Sequence, residues 1–165
     1  MILVPVFIVV FMMVGKGWAT LAIFIVASVT DYFDGHLARK YNLITNYGKI
    51  MDPLADKLLV TSAFVCLIET GDVAAWMVII ILAREFAITG LRAVAASDGI
   101  VIAAAWSGKV KTVTQMLAVI LLLMGDWLDF IPIPVAQIML WIAVFMTLYS
   151  GVEYIYKNRT IFGDM

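Results

Sequence analysis

From "LVPVFIVVFMMV" near the start to "VFMTLYSGVEYIYK" near the end, apolar residues come in runs too long for the core of a water-soluble domain of this size. Six such segments lie at about 2–14, 18–39, 49–70, 74–95, 109–125 and 133–156. A membrane-spanning helix needs roughly 20 mostly apolar residues, and most of these segments are long enough. The connections are short and carry Gly, Asn, Asp or Pro: "GKG", "KYNLITNY", "TGD", "ASDGI" and "GDWLDFIPIP". Connections of that length join antiparallel neighbours. The runs also lack the strict alternation of a barrel strand, the other structure lipid tolerates. The chain is 64% hydrophobic, against about 45–50% for an ordinary soluble domain. Its mean hydropathy is +1.05. These features predict an all-α integral membrane protein: a single domain over 1–165, built as a bundle of six transmembrane helices without a soluble part.

Residues 2–14 make about 20 Å of helix, short of the roughly 30 Å hydrocarbon core. The first helix is therefore expected to be N-terminally truncated, with residues before Met1 completing it. No secretory leader is expected, because the first basic residue, Lys16, follows the apolar run. Net charge is −1, which excludes a nucleic-acid partner, since such a binder needs a basic face. The single cysteine, Cys66, sits in "TSAFVCLIET" and is expected to be a small buried hydrophobe.

Basic residues orient the bundle. If the connection after the second segment, with Arg39, Lys40 and Lys49, is cytoplasmic, then Arg92, Lys109, Lys111, Lys157 and Arg159 fall on that side. Lys16 falls opposite, with Glu69, Asp72, Asp126 and Asp129. That is the asymmetry of the positive-inside rule, and it predicts a cell-membrane protein whose polar cavity faces the cytoplasm.

Against this apolar background, the second and third segments carry Asp31, Asp34, Asp52 and Asp56. Spacings of three and four put each pair on one helix face, and the intervening connection lets the two helices lie antiparallel. Four uncompensated carboxylates in a low dielectric would repel or take up protons. Divalent cations remove the conflict, and an all-oxygen donor set suits Mg²⁺, Mn²⁺ or Ca²⁺ rather than zinc. Capping, or ion pairing with Arg39, Lys40, Lys49 and Lys57, would explain any one aspartate alone, but not four in the same phase. Gly35, Ala38 and Gly48 lie beside the acids, where absent side chains let a ligand approach the backbone or let helices pack closely. Arg39 is a candidate phosphate contact or a plain basic flank. His36 is expected at an interface rather than as a ligand.

Together, "DYFDGHLARKYNLITNYGKIMDPLAD" fits D-x2-D-G-x2-A-R-x8-G-x3-D-x3-D. This resembles the signature of the CDP-alcohol phosphotransferases, integral membrane enzymes of phospholipid synthesis with a six-helix fold. The resemblance implies that Asp31, Asp34, Asp52 and Asp56 hold two divalent metal ions, Mg²⁺ or Mn²⁺, and that Asp56 also acts as general base. It implies that Asp34, Gly35, Ala38, Arg39 and Gly48 bind the CDP moiety of the lipid donor, and that the protein is a homodimer. Paired metals stabilise a pyrophosphate leaving group, and a nearby carboxylate can take the proton of an attacking hydroxyl.

A second polar cluster concerns the acceptor. Arg84, Glu85 and Arg92 lie within or at the end of the fourth segment, and Lys109 and Lys111 open the fifth. Charges inside a span usually face a cavity. An Arg84–Glu85 pair is given little weight, because adjacent helical residues point apart. Four cations suggest an anionic second substrate, such as a phosphorylated alcohol. The runs "AREFAITGLR" and "GKVKT" resemble the branch of the family that moves a phosphatidyl group from CDP-diacylglycerol to sn-glycerol 3-phosphate. Arg84, Arg92, Lys109 and Lys111 are then the candidate acceptor-phosphate ligands. Members of that branch usually carry polar residues before the first segment, and "MILVPVF" has no Asn or Arg there. Alternatives are a cardiolipin-type or inositol-phosphate acceptor, a membrane prenyltransferase, and a divalent-cation transporter. The prenyltransferase lacks the interleaved Gly–Ala–Arg–Gly pattern, and the transporter needs acids nearer the midplane.

Overall fold

A computed structural model describes the backbone of residues 3–40, 46–97, 99, 102, 105–125 and 134–159, with side chains described outside 31–56. It contains six α-helices: α1 (Leu3–Val14), α2 (Trp18–Lys40), α3 (Asn46–Glu69), α4 (Ala75–Ser97), α5 (Trp106–Met124) and α6 (Val135–Lys157). No strand occurs among the described residues. Each helix overlaps one of the six apolar segments. The largest differences are at α3 and α5, which start three residues earlier than the apolar runs, at Asn46 and Trp106. Polar residues in a first turn do not prevent a helix, so the apolar pattern marks its packed part and not its whole length. By length and composition, α5 and α6 can cross a membrane; Leu3–Val14 and Trp18–Thr30 are shorter apolar helices.

The backbone forms two compact units: 1–73 with 119–133, and 74–118 with 134–165. In the first, α1, α2 and α3 pack on one another. Phe7 is the hub, with ring centroids 6.2 Å from Phe11 and 5.8 Å from Phe24, and all three are buried. Cys66 is a buried free thiol on α3, as its apolar neighbourhood predicts. Gly15 and Gly17 take positive φ in the turn between α1 and α2. There Thr20 Oγ1 donates to the Gly15 carbonyl at 2.6 Å, satisfying a carbonyl at the end of α1. Lys16 Nζ bonds Asp72 Oδ1 at 3.0 Å, and Thr70 Oγ1 donates to Asp72 Oδ2 at 2.5 Å. Lys16 and Asp72, expected at one end of the bundle, therefore do meet. Asp126 and Asp129 lie outside the described residues.

In the second unit α4 packs on α6. Their buried stripes follow the three-and-four spacing of a helix face: Met77, Val78, Ile81, Ile88 and Ala95 on α4. On α6 the stripe is Leu140, Ala143, Val144, Thr147, Ser150, Gly151 and Tyr154. Small residues in the second stripe let the backbones approach closely. Trp76 meets Trp141 at 5.7 Å, and further along Arg84 meets Gly151, so α4 and α6 run parallel. The first part of α5 runs against them: Gly108 lies at Arg84, and Gln115 Nε2 donates to Thr147 Oγ1 at 2.9 Å. The far side of α6 is apolar too, with Phe145 66% and Val152 69% exposed. An outer face as apolar as the core fits lipid better than water.

This arrangement gathers Arg92, Lys109, Lys111, Lys157 and Arg159 toward one end of the second unit, with Trp76 and Trp141 toward the other. The grouping deduced from alternating segments holds within this unit.

Candidate functional site

The aspartate motif falls on the two helices where its spacing predicts it. Asp31 and Asp34 lie on α2, as do Gly35, Ala38 and Arg39; Gly48, Asp52 and Asp56 lie on α3. On continuous helix, three- and four-residue intervals put each aspartate pair on one face. The α2 and α3 helices pack together. The side chains of Asp31, Asp34, Asp52 and Asp56, and those of Ala38, Arg39 and His36, lie outside the described residues, as does the metal arrangement expected of them. Among the described residues no group of three or more acids, histidines or cysteines could hold a metal ion. The residue types on α2 and α3 do fit one. Four carboxylates offer hard oxygen donors and the negative charge that Mg²⁺ or Mn²⁺ requires.

The side chains of the second cluster, on α4 and α5, lie among the described residues. Arg84 Nη1 lies 3.0 Å from Glu85 Oε1, with side chains 14% and 12% exposed. This corrects the little weight given to an Arg84–Glu85 pair. The Cα–Cβ bonds do diverge by about 100°, but the long arginine side chain carries its guanidinium back across that angle. Lys111 Nζ, reaching over from α5, bonds the same Glu85 oxygen. Lys111 is almost wholly buried. One carboxylate thus holds two cations, and the trio keeps one net positive charge. A buried cation without such a partner would cost several kcal/mol, on the order of 3–5.

The four cations proposed for an acceptor phosphate are not equivalent. Arg84 and Lys111 meet at Glu85. Arg92, two turns beyond Arg84, donates from Nη2 to the Ile102 carbonyl at 3.0 Å. Lys109 is exposed; it stands two residues from buried Lys111, which on a helix is nearly the opposite side.

Three features on α5 and α6 were not among the candidates. A Cβ on Gly151 would stand 3.2 Å from Arg84 Cγ, and one on Gly108 would stand 3.7 Å from Arg84 Nη2. The arginine stem therefore runs along α6 where a side chain is absent, and its head reaches α5 at another glycine. Arg84 Nε is buried with no hydrogen-bond partner among the described residues. So is the hydroxyl of Tyr154, one turn beyond Gly151 on α6. Glycines and a tyrosine in an apolar run read as packing and interfacial residues. The one available signal was the placement of Gly151 and Tyr154 three apart, sharing a face.

Comparison with known proteins adds identity to this geometry. The model of the family described as CDP-alcohol phosphatidyltransferase matches residues 1–149. A Bacillus subtilis protein named CDP-diacylglycerol–glycerol-3-phosphate 3-phosphatidyltransferase is 52% identical over 82% of this chain and 71% of its own length. A Rickettsia bellii protein of the same name is 42% identical, over 80% of this chain and 74% of its own. A Shigella flexneri protein of that name is 38% identical, over 96% of this chain and 89% of its own.

Proposed function

Because the chain belongs to the CDP-alcohol phosphatidyltransferase family, we propose that it transfers a phosphatidyl group from CDP-diacylglycerol to sn-glycerol 3-phosphate. The products are phosphatidylglycerophosphate and CMP, a step of phospholipid synthesis. The observation that carries this reading is the 52% identity to a relative bearing the name of that reaction. The motif from Asp31 to Asp56 supports the donor, and the cations of α4 and α5 support an anionic acceptor.

In this reaction the acceptor hydroxyl oxygen bonds to the β-phosphorus of CDP-diacylglycerol, the bond from that phosphorus to the bridging oxygen breaks, and CMP leaves. Asp56 takes the hydroxyl proton as general base. Asp31, Asp34, Asp52 and Asp56 would hold two divalent ions, Mg²⁺ or Mn²⁺. Such ions, when bound, neutralise charge on the pyrophosphate and the departing phosphate. Asp34, Gly35, Ala38, Arg39 and Gly48 receive the CDP group, with glycines admitting it close to the backbone. Arg84, Arg92, Lys109 and Lys111 bind the acceptor phosphate. Arg84 is the leading ligand among them, because its planar guanidinium matches phosphate and its Nε–H is uncommitted among the described residues. Lys111 acts from its bond to Glu85, adding charge and fixing the carboxylate. The enzyme works as one transmembrane domain over 1–165, a homodimer of six-helix bundles in the cell membrane, with its polar cavity on the cytoplasmic side.

The test is CMP release in detergent with CDP-diacylglycerol and a panel of alcohols. Release with sn-glycerol 3-phosphate, stopped reversibly by EDTA and abolished in Asp56→Asn, is expected. Release with a different alcohol only would overturn the acceptor, and turnover indifferent to EDTA would overturn the metal site.

A further inference from the structure

We propose that Tyr154 of α6 is an acceptor-binding residue, its hydroxyl donating a hydrogen bond to the phosphomonoester that Arg84 receives. The proposal rests on the acceptor reading above and extends the acceptor site to α6, which contributes none of the charged candidates.

Tyr154 is 4% exposed, and its hydroxyl has no hydrogen-bond partner among the described residues. A buried hydroxyl without a partner is uncommon, because its desolvation is not repaid by a bond within the protein. The charged groups that act on this hydroxyl are Arg92 and Arg84. Both are guanidinium groups, with donors only and no acceptor to offer the phenolic proton. Arg84 Nε–H is a second buried donor in the same unit without a partner among the described residues. Orphan donors in a positive field have one common solution, an anion with several acceptor oxygens. A phosphomonoester dianion meets that description, and a neutral polyol does not.

The packing of α6 supports the same placement. Thr147, Gly151 and Tyr154 share its buried face. Thr147 is committed, accepting from Gln115 and donating to the Ala143 carbonyl at 2.7 Å. Gly151 leaves the space through which the Arg84 stem passes. Tyr154, one turn further on, is the residue of this face whose polar atom has no partner among the described residues. The backbone carbonyl of Tyr154 is satisfied by Asn158, whose backbone N–H and side-chain amide both donate to it. That holds the end of α6 in place without engaging the hydroxyl.

The phosphate could belong to the soluble acceptor or to the pyrophosphate of the lipid donor, and kinetics separates the two. Tyr154→Phe removes one oxygen and leaves the ring. Losing a hydrogen bond to a charged group raises KM by roughly tenfold or more. That rise is expected for sn-glycerol 3-phosphate, with the KM for CDP-diacylglycerol within about twofold of the parent and kcat little changed. Inorganic phosphate, used as a competitive probe against sn-glycerol 3-phosphate, should weaken in parallel. An unchanged acceptor KM overturns the proposal, and a rise confined to CDP-diacylglycerol assigns the hydroxyl to the donor and overturns it too. A Phe variant that loses its fold in detergent also overturns it, since the hydroxyl would then carry a contact within the protein. If the parent enzyme uses sn-glycerol 3-phosphate and Arg84→Lys raises its KM while Tyr154→Phe does not, the tyrosine assignment alone fails. If the parent releases no CMP from sn-glycerol 3-phosphate, the acceptor reading itself fails.

Discussion

Lys111 on α5 and Glu85 on α4 form a largely buried ion pair, and Arg84 binds the same carboxylate oxygen. The pair links two helices at a depth where neither charge can be solvated easily. Ion pairs of this kind add little when compared with well-packed apolar residues, but breaking one leaves a stranded charge.

Glu85→Gln should therefore destabilise the protein by about 3–5 kcal/mol, because buried Lys111 and part-buried Arg84 lose a carboxylate they share. For a chain of this length that corresponds to a melting temperature lower by roughly 6–20 °C in detergent. Adding Lys111→Met to the Gln variant should restore part of the loss, because one stranded charge is removed. Additive losses in the double variant would show that the two residues do not act on each other.

Lys16 and Asp72 make an ion pair of similar length, 3.0 Å, yet their side chains are 33% and 21% exposed. At that exposure an ion pair contributes about 0–1 kcal/mol. Lys16→Met should lower the melting temperature by no more than about 4 °C. A loss as large as that of Glu85→Gln would mean that burial is not what separates the two pairs.

Much of this architecture is legible in the residues themselves. Long apolar runs broken by Gly, Asn and Asp place all six helices, because backbone groups in an apolar setting must bond within their own segment. The spacing of Asp31, Asp34, Asp52 and Asp56 assigns them to facing helices, and α2 and α3 carry them there. The second cluster was legible only in part. Arg84, Glu85 and Lys111 stand out as charges inside apolar runs. The Arg84–Glu85 bond is hidden from any argument based on Cβ direction, because a flexible side chain can turn back on its own helix. Gly151 and Tyr154 carry no charge, so nothing in α6 separates them from ordinary packing. Their roles come from what lies opposite them, and periodicity within one helix cannot supply that.

Gln115 and Thr147 form a buried polar contact between α5 and α6. Thr147→Val keeps the shape and removes the hydroxyl, leaving the Gln115 amide without that bond. A stranded buried donor costs about 1–3 kcal/mol, so a melting temperature lower by roughly 2–12 °C is expected. Thr147→Ser should retain most of the stability, and an equal loss in both variants would point to the methyl group instead.

Gly151→Ala sets two effects against each other. Replacing a mid-helix glycine by alanine ordinarily gains about 0.5–1 kcal/mol in helix stability. Here the added Cβ would stand 3.2 Å from Arg84 Cγ, tighter than ordinary van der Waals contact. The contact is near the base of the arginine stem, so the whole guanidinium must move to relieve it. If Arg84 binds the acceptor phosphate, the variant should melt within about 2 °C of the parent. Its KM for sn-glycerol 3-phosphate should nonetheless rise several-fold, because a displaced fork loses its aligned hydrogen bonds. Arg84→Ala serves as the limit: in that background Gly151→Ala should have no further effect on KM. A full additional rise would show that Gly151 acts by a route other than Arg84.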